Sequence, residues 1–378
     1  MTKTAKYQQI VDWIQERLDS GELRSGDRLE PEKEIGARFG ISRQTVRHAL
    51  SLLAQEGVLE TVHGSGSYVK DNKEQYQQKA VLSSTVTIIS SYVDGYIFPR
   101  ILRSMVETLE RLGYGARIMF TGNQVETERR LLKRLIEEES RDPMIVEPVM
   151  SGLPNPNLKY YRELQQRGIP ILFFHSFYPE LNLPHVSMDD VEAGRIATEY
   201  LISQGHTRIA GVFKADDGQG KYRYKGYICA LYRAEIAICE ERICWIDTVE
   251  QKLLTREYER LLKRLRGCTA CLCYNDEVAH SLTEICIKQG IRIPEDLSII
   301  SIDNSELAKL NPVPLTSMVH PMEVMGVRTA ENLVHLIKDP EFNATYEFVP
   351  EIKIRSSVMP VTPETEDEAA SAHLRKQI

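Results

Sequence analysis

Apolar residues recur at helical spacing near the start of the chain. Tyr7, Ile10, Val11, Ile14 and Leu18 give a first helix one apolar stripe, which Gly21 and then Gly26-Asp27 bring to an end. Pro31 suits the first turn of a second helix, where Glu32 and Glu34 sit near the positive end of the backbone dipole. Ile35 and Phe39 face inward on that helix, and Gly40 reads as its C-cap. Ser42 is a natural N-cap for a third helix. Its Val46, Ala49, Leu50 and Leu53 fall at i, i+3, i+4 and i+7 and form a core face. Arg43, Gln44, Arg47 and His48 take other positions, with the two arginines one turn apart. After Gly57 the period shortens to two strands, 58–62 and 67–69, around His63-Gly64-Ser65-Gly66. Those glycines permit a tight turn and a close approach of backbone to a phosphate or a minor groove. Read alone, the arginine helix fits a small bundle with solvated charges as well as it fits a DNA reader. Turn, basic helix and glycine-tipped hairpin together predict a winged helix-turn-helix whose third helix enters the major groove.

Residues 71–83 are polar and glutamine-rich and read as a linker. Beyond them, near-continuous apolar runs at 85–90, 116–120, 144–147, 171–175, 208–213, 269–274 and 297–303 alternate with helical stripes such as Ile101, Met105, Leu109 and Leu112. That alternation predicts an α/β domain with parallel sheets covered on both faces. The segment 84–358 is long for one sheet, so two similar lobes are expected. From Thr362 the chain is acidic and poor in apolar side chains, and 359–378 is expected to be a flexible tail.

Strand after strand in this region runs apolar and then finishes polar. The ends carry Ser90-Ser91, Thr121, Glu147, His175, Lys214, Asn275-Asp276 and Asp303-Asn304, with Tyr96, Phe98, Phe174, Phe177 and Tyr178 close by. Ligands of open α/β sheets bind outside the carboxyl ends of the strands. Converging carboxylates, amides and cations saturate hydroxyls that both donate and accept, while an aromatic covers a sugar's apolar face. Each residue alone reads as a helix cap or loop group; the set predicts a sugar-sized cleft.

Composition narrows the classes. The 378 residues suffice for two domains, and 42% hydrophobic with 27% charged residues are the proportions of a soluble globular protein. A net charge of -7 excludes binding nucleic acid with the whole surface, so DNA contact requires a local basic face. The N-terminal residues lack an apolar signal region, and no run approaches the roughly 18 apolar residues of a membrane span. The expectation is a cytoplasmic protein with no membrane partner. Of seven cysteines, Cys268, Cys271 and Cys273 cluster, but no second Cys or His pair stands at ligand spacing. They read as buried thiols rather than a metal or redox site, and neither metal nor cofactor is expected. An enzyme using the cleft is disfavoured. No nucleophile elbow or Walker sequence is present, and Gly218-Gln219-Gly220 is too short for a phosphate loop.

Residues 6–70 resemble a GntR-type winged helix. The likeness rests on Leu29-x-x-Glu32-x-Glu34-Ile35, Phe39-Gly40-Ile41-Ser42-Arg43-x-Thr45-Val46-Arg47-x-Ala49-Leu50, Gly57, and Gly64-x-Gly66-Ser67-Tyr68-Val69. The chain departs from that pattern at Glu30-Pro31 and Ser67-Tyr68. The resemblance implies that Arg43 and Arg47 read bases with Glu32 and Gln44 beside them. It further implies that Thr45 and Lys6 touch phosphate, and that His63, Gly64 and Gly66 act from the wing. Gly205-His206-Thr207-Arg208-Ile209-Ala210, Arg223-Tyr224-Lys225-Gly226-Tyr227, Cys273-Tyr274-Asn275-Asp276 and Ile293-Pro294-Glu295-Asp296-Leu297 resemble the LacI/GalR effector domain. Joined to the winged helix, these motifs are similar to the arabinose repressors of Gram-positive bacteria. Arg223, Asn275 and Asp303 would then line the sugar cleft, and Tyr96, Phe98, Glu147, His175 and Lys214 join them from the strand ends. The implied partners are double-stranded operator DNA, a second copy of the chain, and a small sugar, L-arabinose, that releases the operator. Another pentose, a hexose or a purine stays open as effector, as does the opposite sign, in which the ligand is a co-repressor.

Overall fold

The structure is a computed structural model that describes residues 6–19, 22–23, 26–55, 58–62, 66–70, 82–92 and 95–366. Contacts divide the chain into two units, 1–80 and 81–378. The first holds α1 (Lys6–Asp19), α2 (Glu32–Phe39), α3 (Arg43–Gln55), β1 (Leu59–Val62) and β2 (Gly66–Val69). Its core is the apolar set that the helical period selects, with Ile10, Ile14, Ile35, Val46, Ala49, Leu50 and Leu53 buried together. Each Ile or Leu so buried contributes roughly 1.5–3 kcal/mol against its exposed state. Gly40 ends α2 in the left-handed region at φ 63°, and its N–H bonds back to the carbonyl of Gly36. Ser42 then caps α3, its Oγ accepting from the backbone N–H of Thr45 at 3.2 Å. Trp13, absent from the predicted stripe, packs edge-on to Phe39 at 5.4 Å under the guanidinium groups of Arg17 and Arg38. β1 and β2 pair antiparallel from Leu59↔Val69 to Val62↔Gly66, which is the wing.

The second unit begins with β3 (Thr85–Ser90), α4 (Phe98–Arg111), β4 (Gly115–Phe120), α5 (Val125–Glu137), β5 (Met144–Val146), α6 (Leu158–Gln166), β6 (Ile171–Phe174) and β7 (His185–Met188). The chain continues through α7 (Asp190–Ser203), β8 (Ile209–Lys214), α8 (Gly218–Arg233), β9 (Ile243–Ile246), α9 (Thr248–Leu253) and α10 (Glu259–Leu265). β10 (Ala270–Cys273), α11 (Asp276–Lys288), β11 (Ser298–Asp303), α12 (Glu306–Leu310) and β12 (Thr316–Val319) follow. It ends with α13 (Met322–Lys338), β13 (Tyr346–Phe348) and β14 (Glu351–Lys353). Two six-stranded sheets result, ordered β13-β7-β6-β5-β3-β4 and β14-β12-β11-β10-β8-β9. Every pair is parallel except β12 with β14, as continuous apolar strands require. The two expected lobes are therefore present. The chain passes between them after β7, after β12 and after β13, so that α13 packs on the first lobe with Ile101 and Met105.

Five strands escaped the sequence reading: β7, β9, β12, β13 and β14. Each is short, and the edge strands β13 and β14 carry exposed residues that break the apolar run. The three clustered cysteines are buried, with Cys271 and Cys273 Sγ 3.9 Å apart in an apolar core that also holds Cys244 and Cys286. Burial pushes the Cys244 thiol up to about 11 and that of Cys268 up to about 12, so neither is a ready nucleophile. Among the described residues no helix is long and apolar enough to cross a membrane.

The tail expected to fray from Thr362 is instead held as far as Glu366. That carboxylate is 5% exposed. It accepts hydrogen bonds from the backbone N–H of Thr207 (2.7 Å) and Arg208 (2.9 Å) and from the hydroxyls of Thr207 (2.7 Å) and Thr269 (2.9 Å). Burial alone would raise its pKa, but these donors outweigh burial and hold it below the usual glutamate value. The contribution is therefore full at neutral pH and is lost as pH falls through the lowered pKa. Glu366→Ala is expected to lower the unfolding free energy of the second unit by roughly 1–3 kcal/mol at pH 7, read by denaturant titration. The deficit relative to the parent should shrink toward pH 3.

Candidate DNA-reading face and effector cleft

The solvent face of α3 is where the winged helix offers charge. Arg43, Gln44, Arg47 and His48 are exposed, and Thr45 is half-buried. Arg47 meets Glu32 in a two-point pair, Nε to Oε1 at 3.1 Å and Nη2 to Oε2 at 3.0 Å. The pair links the first turn of α2 to α3 and favours one direction of the guanidinium, weakly because Arg47 is exposed. Glu32 thus acts on Arg47 rather than projecting alone. The Thr45 hydroxyl is 2.9 Å from that of Ser42, so its first partner is the cap of its own helix. Gly66 has φ 127°, and a Cβ there would meet Arg28 Nε at 3.1 Å, so the wing requires glycine at this position. His63 and Gly64 lie outside the described residues, as does the side chain of Lys6.

In the second unit, Tyr96, Phe98, Glu147, His175, Lys214, Arg223, Asn275 and Asp303 all line one cavity of about 210 Å³ between the lobes. Its centre is a buried charge cluster. Arg223, on α8 and 2% exposed, donates from Nε to Asp190 Oδ1 at 2.7 Å and from Nη1 to the Tyr274 carbonyl at 2.6 Å. Its Nη2 lies 3.4 Å from Asp303 Oδ1, and the guanidinium sits 4.8 Å above the Tyr274 ring. Asp190 opens α7 just after the first passage between lobes, and Asp303 ends β11. Beside them, Lys214 Nζ pairs with Asp217 Oδ2 at 2.8 Å, and the Tyr274 hydroxyl donates to the same carboxylate at 2.9 Å.

The lobes meet around this cavity. The Tyr96 hydroxyl, from the first lobe, donates to Asp303 Oδ2 at 2.6 Å and accepts the Asp276 N–H at 3.2 Å. Asn123 Nδ2 reaches Thr248 Oγ1 at 2.9 Å, and Gly218 N–H donates to Ser151 Oγ at 2.9 Å. Four lining residues hold left-handed backbone without being glycine: Tyr96 (φ 54°), Asn123 (φ 55°), His175 (φ 66°) and Asp303 (φ 109°). Each such residue costs about 1–3 kcal/mol, a strain that the surrounding bonds must offset. Asn275 lines the cavity while its Oδ1 caps α11, accepting from Val278 at 3.0 Å. Asp276 is wholly buried and ties β11, β12 and the start of α12 together through Ser301, Ser317 and Ser305.

Burial sets the protonation of the cleft. It raises Glu147 to about 8 against the opposing bonds from the Ser91 N–H and the Ser90 hydroxyl, so the group is largely a neutral donor at pH 7. Burial also raises Asp190 to about 6, with Arg223 pulling the other way. Lys214 stays charged because Asp217 overcomes its desolvation. His175 is driven by burial down to about 3 and is a neutral ring. The sequence reading missed Asp217, Gln219, Tyr274 and Glu277 as lining groups, although each lies within a few residues of a strand end already singled out. It also missed Asp190, which follows the unforeseen β7 and becomes legible only when paired with Arg223.

Residues 6–69 match the bacterial regulatory proteins of the gntR family. Residues 198–358 match the periplasmic binding protein-like domain. The arabinose metabolism transcriptional repressor of Geobacillus stearothermophilus is 36% identical over 358 residues, covering 93% of this chain and 97% of that protein. The arabinose metabolism transcriptional repressor of Halalkalibacterium halodurans is 33% identical over 363 residues, covering 93% of this chain and 96% of that protein. Among solved structures, the transcription regulator CcpA of Lactococcus lactis aligns with a TM-score of 0.64 at 26% identity, over 72% of this chain and 98% of that one.

A carboxyl whose folded pKa is raised stabilises the fold most at low pH and loses that contribution as pH rises toward the folded value. Stability of the second unit is therefore expected to decline from the ordinary glutamate range up to about pH 8 on account of Glu147. For one proton the slope reaches at most about 1.4 kcal/mol per pH unit. Glu147→Gln, which resembles the protonated group, should flatten that decline. Denaturant unfolding of both proteins at stepped pH measures the difference.

Proposed function

The chain belongs to the family of the arabinose metabolism transcriptional repressors and is a sugar-responsive, DNA-binding regulator; from that premise we propose that it holds operator DNA as a homodimer and releases it when L-arabinose occupies the cleft. The carrying observation is the cleft itself, where charged and neutral hydrogen-bonding groups from both lobes converge on about 210 Å³. That volume lies below the roughly 300–1,000 Å³ of drug-sized ligand sites and suits a single small sugar. Asp217 and Asp303 offer acceptors, Lys214, Arg223 and protonated Glu147 offer donors, and Phe98 with Tyr274 supplies apolar faces. A pentose with a hydroxyl on nearly every carbon uses such a mixture; an apolar ligand would leave these groups unpaired.

On the DNA side, the pre-aimed Arg47 suits bidentate contact with guanine O6 and N7, and Arg43 lies one turn before it. Two heads in a dimer would read a pseudo-palindromic site. Sugar acts by favouring the arrangement of lobes that fits operator less well, with a coupling of typically 1–3 kcal/mol. On this reading the protein works in the cytoplasm beside its operator.

The test is fluorescence anisotropy at fixed salt on a duplex that the full-length protein selects from a random pool. Saturating L-arabinose should weaken binding by roughly 5- to 150-fold. Arg47→Ala should weaken it about tenfold or more without sugar and relax base preference. Operator affinity unchanged by L-arabinose would refute the assignment of effector, and affinity raised by it would reverse the sign.

A further inference from the structure

His320 does not line the cleft, yet it faces a residue that does. It sits between β12 and α13 in the second passage between the lobes, 4% exposed, with its N–H 3.3 Å from the carbonyl of Asp303. Its Nε2 lies 3.1 Å from Nδ1 of His175. Burial drives both rings down to about 3, so at neutral pH two uncharged imidazoles share one hydrogen bond.

Two arrangements satisfy that bond. In one, His175 carries its proton on Nδ1 and donates; His320 then carries its own proton on Nδ1. That atom is buried and has no hydrogen-bond partner among the described residues, so this arrangement strands an N–H in the interior. In the other, His320 donates from Nε2 and leaves only a lone pair on its buried Nδ1. Orphaned buried N–H groups are rarer than under-used acceptors, which selects the second arrangement. His175 is then protonated on Nε2, which bonds to no group among the described residues.

The placement of His175 is equally constrained. Its N–H donates to Val186 O at 2.9 Å, and its carbonyl accepts from Gln219 Nε2, on the other lobe, at 3.2 Å. Its ring is edge-on to Phe98 at 5.5 Å. With Nδ1 engaged by His320, the nitrogen left for the cavity that His175 lines is Nε2.

We infer that His320 is a positioning residue that donates its Nε2–H to His175 Nδ1, and so fixes His175 as a donor, through Nε2–H, to one oxygen of the sugar in the cleft. The sugar arm rests on the reading of the cleft as the arabinose site; the pairing of the two rings does not. The device also ties the ligand's oxygen to the segment by which the chain crosses between lobes, because a shift of His320 along that crossover withdraws the bond that orients His175.

Two measurements on the full-length protein decide it. Long-range proton–nitrogen correlation on protein labelled with nitrogen-15 histidine, assigned with H175Q and H320Q, should show both rings protonated at Nε2. A His175 proton on Nδ1 overturns the inference. Calorimetric titration should show L-arabinose binding weakened about tenfold in His320→Leu. In that variant the analogue lacking one particular hydroxyl should no longer bind worse than arabinose. His320→Gln, whose amide can still donate to Nδ1, should stay within about threefold of the parent. If His320→Leu weakens arabinose and every monodeoxy analogue by the same factor, the residue is merely structural and the inference fails. Should the parent bind no L-arabinose, the effector assignment fails instead, and the nitrogen-resolved spectrum alone judges the pairing.

Discussion

One buried guanidinium holds the effector unit to its task. Arg223 lies between Asp190, which begins α7 just after one passage between lobes, and Asp303, which ends β11 and whose carbonyl accepts the backbone N–H of His320 in the next passage. Removing one member of such a buried cluster leaves an uncompensated charge and typically costs about 3–5 kcal/mol, whereas the intact cluster adds little net stability. Its value is therefore positional. It fixes a cation and the acceptor Asp303 in the wall of a small cavity, with Asp190 behind them where the chain has just changed lobes. Tyr96 extends the cluster to the first lobe through Asp303, and His175 joins through His320, whose backbone bonds to the same Asp303. A ligand that exchanges hydrogen bonds with these groups acts on the junction of the lobes directly.

The two units divide the electrostatic labour. A chain of net charge -7 approaches a polyanion only through a local positive face, and on the proposed reading the exposed arginines of α3 supply it. There the Arg47–Glu32 pair is solvent-exposed and, on the proposed reading, aims Arg47 at a base. In the cleft the charges are buried and compensated, and burial decides which groups are neutral. The same residue types are thus used for direction at the surface and for selectivity inside.

Much of this was legible because it depends on local periodicity. Val46, Ala49, Leu50 and Leu53 are buried because four apolar positions on one helical face leave no other stable arrangement. Gly40 and Ser42 were readable as caps because each satisfies backbone groups within its own turn. Glu147, His175, Lys214, Asn275 and Asp303 were readable because continuous apolar strands that end in polar residues place those ends together. Tyr96 and Phe98 were read as aromatics near such an end, and Arg223, on α8, only through the LacI/GalR resemblance. What stayed hidden depends on distant partners. Glu366 belongs to an acidic stretch that reads as solvated, and its donors come from residues 207, 208 and 269. Asp190 follows a strand too short to announce itself, and only Arg223, far along the chain, explains its burial. Trp13, at i+3 from Ile10, stands on the apolar stripe and was overlooked there; that Arg17 and Arg38 cover its ring depends on the packing of α2 on α1. Glu32 was expected to face DNA, and its engagement with Arg47 arises from the packing of α2 on α3.

Filling the cleft and holding the operator are, on this account, mutually opposed states of one molecule, and linkage makes that opposition reciprocal. The direct test is calorimetric titration of L-arabinose into the full-length protein, free and saturated with its selected duplex, at one salt concentration. The account predicts that bound operator weakens the sugar by the same factor, roughly 5- to 150-fold, by which the sugar weakens the operator. Equal sugar affinity in the two titrations would contradict it.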